Sequence, residues 1–248
     1  MSPTARTAPG RTARDAVADD LQRADPHAPT LCEGWDVAHL AAHLVLRDSR
    51  PDVTAAGFLP GPLSRWAQRQ LDATATGTPY PDLVALVRRG PRLSPTLVPA
   101  LDDAVNVVEM AVHREDVRRG GPDWSPDAPP VVLDPAVTEA LARSLSTTGR
   151  LAARSVPGPL DAVLTDVAPL PASPPGPAPQ AGPAASPATP TAVGRRVRLR
   201  GGHGEPVVVS GPVLEVVLFL LGRDTAARVE LSGRPNRVAA VRSARRGT

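Results

Sequence analysis

The sequence predicts an all-α N-terminal part followed by a small α+β domain. Three observations carry this. Up to about residue 155, apolar residues recur three and four apart in segments bounded by proline, glycine and capping residues. Beyond Pro157 the pattern becomes short apolar or alternating runs of strand length. Between those runs, 168–194 is nearly all Pro, Ala, Gly and Ser, with nothing to bury and no periodicity, which marks a disordered insert. The expected organisation is a helical domain over 1–155, an α+β domain from 156–167 and 195–248, and the insert at 168–194.

Residues 11–24 form the first expected helix, with Ala13, Ala16, Val17 and Leu21 on one side and Asp25-Pro26 as the stop. Asp36 is placed to cap a second, in which Val37, Leu40, Ala41 and Leu44 follow the i, i+3, i+4, i+7 rule and Pro51 closes the segment. Further helices are expected over 61–75, 81–89, 101–119 (capped by Asp102 or Asp103 and stopped by Gly120-Gly121) and 135–154. LDAVLTDV at 160–167 reads as a strand. RRVRLR alternates charged and apolar residues, GGHGE reads as a turn and PVVVS as its partner, so 195–210 is expected to be a hairpin. LEVVLFLL then gives a short helix ended by Gly222, AARVELSG a last strand, and the tail a last helix.

Composition removes several classes of function. All 28 basic residues are arginine against 25 acids, and they are scattered with no aromatic residues interleaved, so a solvated surface is expected and nucleic-acid binding is not. The single cysteine, Cys32, excludes an intramolecular disulfide and a thiolate metal cluster within one chain. The longest greasy run, VLEVVLFLL at 213–221, is too short to span a bilayer, and the N-terminal stretch lacks the apolar core of a signal peptide. A soluble, cytoplasmic protein without a membrane partner is expected.

The chemistry points to one stretch. From Ala104 to Val112 the chain reads AVNVVEMAV, so a helix here is apolar on nearly every side and Glu109 falls among buried neighbours. His113 follows one turn later, about 40° round the helix, so the two side chains can reach a common point. A carboxylate oxygen and an imidazole nitrogen suit zinc or a similar divalent ion, and a cation would offset the penalty of burying the carboxylate. Candidates for a third ligand are His39 and His43 on the earlier helix and His27 and His203 in loops. His43 lies about 60° and His39 about 100° from Leu40, on the side away from the apolar arc, so His43 is nearer the core-facing edge and His39 reads as solvated. The set His43, Glu109 and His113 leaves a fourth position for water or substrate, the coordination of a catalytic zinc. The bland alternative is that all three are inert side chains of a structural bundle. Asp116, about 20° from Glu109, is placed to orient an imidazole or to pair with an arginine. Arg47 and Arg50, one and two turns beyond His43, are candidates to hold a carboxylate of a cofactor or substrate, or to form surface ion pairs.

The stretches LCEGWDVAHLAAHLVLRDSRPD and VVEMAVHREDVRRG resemble the two signatures of the mycothiol-dependent maleylpyruvate isomerase-like family. VVVSGPVLEVVLFLLGRDTAARVEL resembles that family's small α+β domain. The resemblance implies a DinB-like four-helix metal-binding bundle at the N-terminus and a metal set matching His43, Glu109 and His113. It implies zinc or a similar metal and the thiol mycothiol as cofactors, with an electrophilic small molecule as substrate, as in an isomerase or S-transferase. A metal-binding regulator or sensor without turnover is the alternative. The chain departs from the family pattern in having His39 where an acidic residue is usual, and the 168–194 insert where a short turn is usual.

Overall fold

A computed structural model describes residues 8–91, 99–168 and 194–246. The Pro/Ala-rich stretch, over 169–193, lies outside the described residues. The chain divides into two compact units, 1–144 and 145–248.

The first unit is helical: α1 (Pro9–Arg23), α2 (Val37–Ser49), α3 (Pro51–Gly57), α4 (Pro62–Gly77), α5 (Tyr80–Arg89), α6 (Pro99–Gly120) and α7 (Pro135–Ser144). Proline stands at the first or second position of α1, α3, α4 and α5, where its fixed φ suits a helix start and its missing N–H has no acceptor to lose. Pro51, expected to close a helix, therefore also opens α3. For the same reason α6 starts at Pro99, ahead of the cap expected at Asp102 or Asp103. Asp36 caps α2 as expected, accepting from the His39 backbone N–H.

The apolar stripes meet inside. Val17 and Leu21 of α1, Leu40 and Leu44 of α2, Leu83 and Val87 of α5, Met110 of α6 and Leu141 of α7 are fully or almost fully buried. The α6 helix packs on α1 and α7, while α2 packs on α3, α4 and α5. A buried ion pair ties α1 to α2: the Arg14 guanidinium sits 2.6 and 3.1 Å from the two Asp48 carboxylate oxygens and also donates to the Val87 carbonyl.

The second unit opens with a π turn (Leu145–Gly149), the short α8 (Arg150–Ala152) and a 3-10 turn (Ala153–Ser155). It continues with β1 (Leu160–Leu164), β2 (Arg195–Arg200), β3 (Val207–Gly211), α9 (Val213–Leu220), β4 (Glu230–Ser232) and α10 (Pro235–Arg246). The strand order is β2-β1-β3-β4. This corrects the hairpin expected over 195–210, because β2 and β3 both pair with β1 and are separated by it. The reason lies in β1, whose five residues are all buried and so take the central position. Residues 201–206 need only cross two strand spacings, about 10 Å, to carry the chain from β2 over β1 to β3. Among the described residues, no helix is long and apolar enough to cross a membrane.

Candidate metal centre

The cap at Asp36 fixes where α2 starts, and thereby which way His43 faces. With Val37, Leu40, Ala41 and Leu44 fully buried, the His43 ring is left half-buried at the edge of the stripe. Its centroid is 5.0 Å from Trp35 and 5.1 Å from His113, the latter edge-on. From α6, the Glu109 Oε2 and His113 Nε2 atoms stand 3.5 Å apart. One donor atom from each of His43, Glu109 and His113 lies within 4.8 Å of the others, so the two sequence stretches do converge on one point. His39 stays outside this cluster: its Nδ1 is 2.7 Å from Asp36, the residue that caps its own helix. His27 is highly exposed, and His203 is an exposed residue of the second unit.

Glu109 is not sealed as the apolar run suggested. Its side chain is 35% exposed, and the Arg47 Nε lies 3.5 Å from Oε2. An arginine thus shares the compensation that the sequence assigned to a cation alone. Arg47 also donates to Asn106 and Asp48, whereas Arg50 is held by Asp52 through contacts of 2.9 and 2.8 Å.

The charges follow from these contacts. Burial pushes the His43 imidazolium down, and neighbouring His113 adds to this, so that His43 loses its proton at about 4. Burial alone would raise Glu109. The hydrogen bond and charge of His113, with Arg47 beside it, outweigh burial and hold the carboxyl at about 2. His113 moves the other way, because hydrogen bonds to Asp116, Cys32 and Glu109 overcome burial and raise it well above the usual imidazole range. At neutral pH the site holds a neutral His43 and an ionised Glu109, with His113 pushed toward its protonated form.

Behind His113 lies a feature only partly legible in the sequence. Its Nδ1 is 2.9 Å from an oxygen of the fully buried Asp116, and the Cys32 thiol is 3.2 Å from the same oxygen. Cys32, His113 and Asp116 thus form a second cluster with metal-ligand chemistry, using the opposite ring nitrogen of the same histidine. Asp116 was expected from its helical phase. Cys32 was not, because it lies far away in sequence.

The loop 28–36 brings Cys32 and Trp35 to the site. Leu31 donates its backbone N–H to the Asp116 carbonyl at 3.0 Å, and Trp35 to the Cys32 carbonyl at 3.0 Å. The turn between them needs Gly34 at φ +78°. At the end of α6 the same loop passes so close to Gly120 that an added Cβ would stand 2.2 Å from the Thr30 Cα. Read as a helix stop, Gly120 is also the point where loop and helix touch. Beside His43 a cavity of about 270 Å³ opens, walled by Trp35, His43 itself and residues of α2, α3 and α4.

Residues 7–143 match the family model for the mycothiol maleylpyruvate isomerase N-terminal domain. Among solved structures, the chain is similar to the crystal structure of the mycothiol-dependent maleylpyruvate isomerase, with 16% identity, a TM-score of 0.49 and 90% of each chain covered. It is likewise similar to that of a histidine-to-alanine mutant, with 15% identity, a TM-score of 0.50 and the same coverage. At these identities the likeness is one of fold. No curated protein matches. The family match spans more than half of the chain and includes both stretches that build the cluster, so this protein belongs to the mycothiol maleylpyruvate isomerase N-terminal domain family.

Proposed function

We propose that the chain is a metal-dependent thiol enzyme in which His43, Glu109 and His113 hold a zinc or similar divalent ion and mycothiol is the thiol presented to an electrophilic small molecule. The observation that carries this reading is the convergence of two imidazoles and one carboxylate, from two helices, on a point within 4.8 Å. Three such donors with bonds of about 2.0–2.2 Å suit a catalytic zinc, whose remaining position stays open. Bound there, the metal lowers a thiol's pKa and supplies a thiolate at neutral pH.

The chain's own residues set the stage for this. Asp116 accepts from His113 Nδ1, which fixes the ring and aims Nε2 at Glu109. His43 is already neutral at pH 7 and needs no deprotonation to serve as a ligand. Glu109 is ionised and open to solvent on one side, so a ligand can reach it. Arg47, beside Glu109, is the cation placed to meet an anionic group of thiol or substrate. Cys32 and Asp116 serve this reading as support rather than as ligands, because Asp116 is fully buried and committed to both His113 and Cys32.

The test follows from the charges. Because its partners raise His113 toward the protonated form in the metal-free protein, zinc uptake near neutral pH is expected to release protons. Calorimetric titrations in buffers of different ionisation enthalpy read this directly. No zinc uptake contradicts the reading, whereas uptake without proton release contradicts only the raised protonation of His113. Asp116→Asn is expected to weaken zinc about 10–100-fold in the same titration, since a neutral amide oxygen orients and polarises the ring less than the carboxylate does.

A further inference from the structure

We infer that the cavity beside His43 receives an uncharged, apolar part of the electrophile, so that the substrate class is a conjugated carbonyl compound bearing an aryl or alkyl group. The inference rests on the reading that His43, Glu109 and His113 share a metal, because that reading places the reacting atoms against His43. The His43 ring forms part of the cavity wall while also packing edge-on against His113, so a molecule filling the cavity abuts the donor cluster.

The lining decides what fits. Leu46, Val53, Ala67 and Leu71 each present side chains under a tenth exposed, and Trp35 and Phe58 add two aromatic rings. No Asp, Glu or Arg is among the lining residues. Of the polar members, Thr54 and Ser64 donate to the Arg50 and Gly61 carbonyls and the Gln68 amide donates to Asp72. Arg47 does not line the cavity, and Arg50 is held by Asp52. A hydrocarbon group entering here gains by leaving water, and no charged side chain of the lining would hold a carboxylate in its place. The volume of about 270 Å³ suits a group on the order of a dozen non-hydrogen atoms, such as a substituted phenyl ring. Phe58 is 85% exposed although it lines the cavity, which puts an aromatic ring at the mouth where a bound apolar group would cover it.

The experiment titrates the full chain, zinc-loaded and metal-free, with benzylideneacetone, a neutral aryl enone, and with maleate, following each by calorimetry without added thiol and measuring the zinc content of every sample. In the metal-free form, where maleate has no ion to ligate, the enone is expected to bind at least tenfold more tightly than maleate. Ala67→Phe, which fills the cavity, is expected to weaken the enone at least tenfold with zinc content unchanged. Phe58→Ala, at an exposed position that does not test the core, is expected to weaken it at least threefold. Maleate binding the metal-free protein as tightly as the enone, or enone binding unchanged in both variants, overturns the inference while zinc uptake leaves the metal reading standing. Failure of the wild type to take up zinc overturns the metal reading instead, and with it the assignment of the bound group as substrate.

Discussion

Glu109→Gln is expected to lose zinc at chelator concentrations, in excess of protein, that leave the unaltered protein loaded, a fall in affinity of at least about two orders of magnitude. The estimate takes the 10–100-fold effect of an outer partner as its floor, because an amide oxygen is a much poorer ligand than the ionised carboxylate it replaces. The side chain is 35% exposed, so the substitution leaves the bundle folded and the loss reads as chemistry. His43→Ala and His113→Ala are expected to lose zinc as well, and His113→Ala also to lower stability, since it strips the buried Asp116 of its imidazole. His39→Ala is the control: it lies outside the cluster, bonded to Asp36, and zinc content should not change. Inductively coupled plasma analysis after dialysis measures all four. A Glu109→Gln protein that keeps its metal would mean that Glu109 is paired only with Arg47 and His113, as an ordinary ion pair.

The second large effect is expected at Gly120. An added methyl group there would stand 2.2 to 2.6 Å from the Thr30 Cα and carbonyl carbon and the Pro29 carbonyl oxygen. These are backbone atoms and cannot swing aside as a long side chain can. The loop must move, and overpacking of this kind costs about 1–3 kcal/mol. For a chain of this size that corresponds to a fall in Tm of roughly 2–12 °C. The displacement also reaches the site, because the loop's Leu31 bonds to the Asp116 carbonyl and its Cys32 to the Asp116 side chain. Gly120→Ala is therefore expected to weaken zinc as well as melt earlier, although Gly120 touches no donor of the cluster. Gly121→Ala has open space around its Cβ and is expected to do neither. Thermal unfolding of the two variants side by side separates a contact at Gly120 from a general intolerance at the end of α6.

Much of this was legible in the residues. The apolar stripe Val37, Leu40, Ala41 and Leu44 gave the core face of α2, and that phase alone put His43 nearer the bundle interior than His39. The four-residue spacing put Glu109 and His113 together, and the helical phase of Asp116 put it behind the imidazole. Local period is enough for such inferences because neighbours one turn apart on a helix are neighbours in space. What could not be read is whatever depends on distant segments. Cys32 meets Asp116 across 84 positions, and Thr30 meets Gly120 through a loop whose path no periodicity encodes. The expected hairpin over 195–210 failed similarly: two adjacent strands with a glycine turn satisfy every local signal, and only the burial demand of β1 pries them apart. Proline misled in the other direction, since Pro51 ends one helix and begins the next within a single residue.

Because His113 turns Nε2 to Glu109 and Nδ1 to Asp116, which also holds the Cys32 thiol, the two clusters that contain it make opposite claims about sulfur. X-ray absorption at the zinc edge of the loaded protein, with no thiol added, distinguishes them. The account predicts a shell of nitrogen and oxygen only, at about 2.0–2.2 Å, with the multiple scattering of two imidazoles. A sulfur neighbour at about 2.3 Å, lost in Cys32→Ser, would place the metal on the other face of His113 and contradict it.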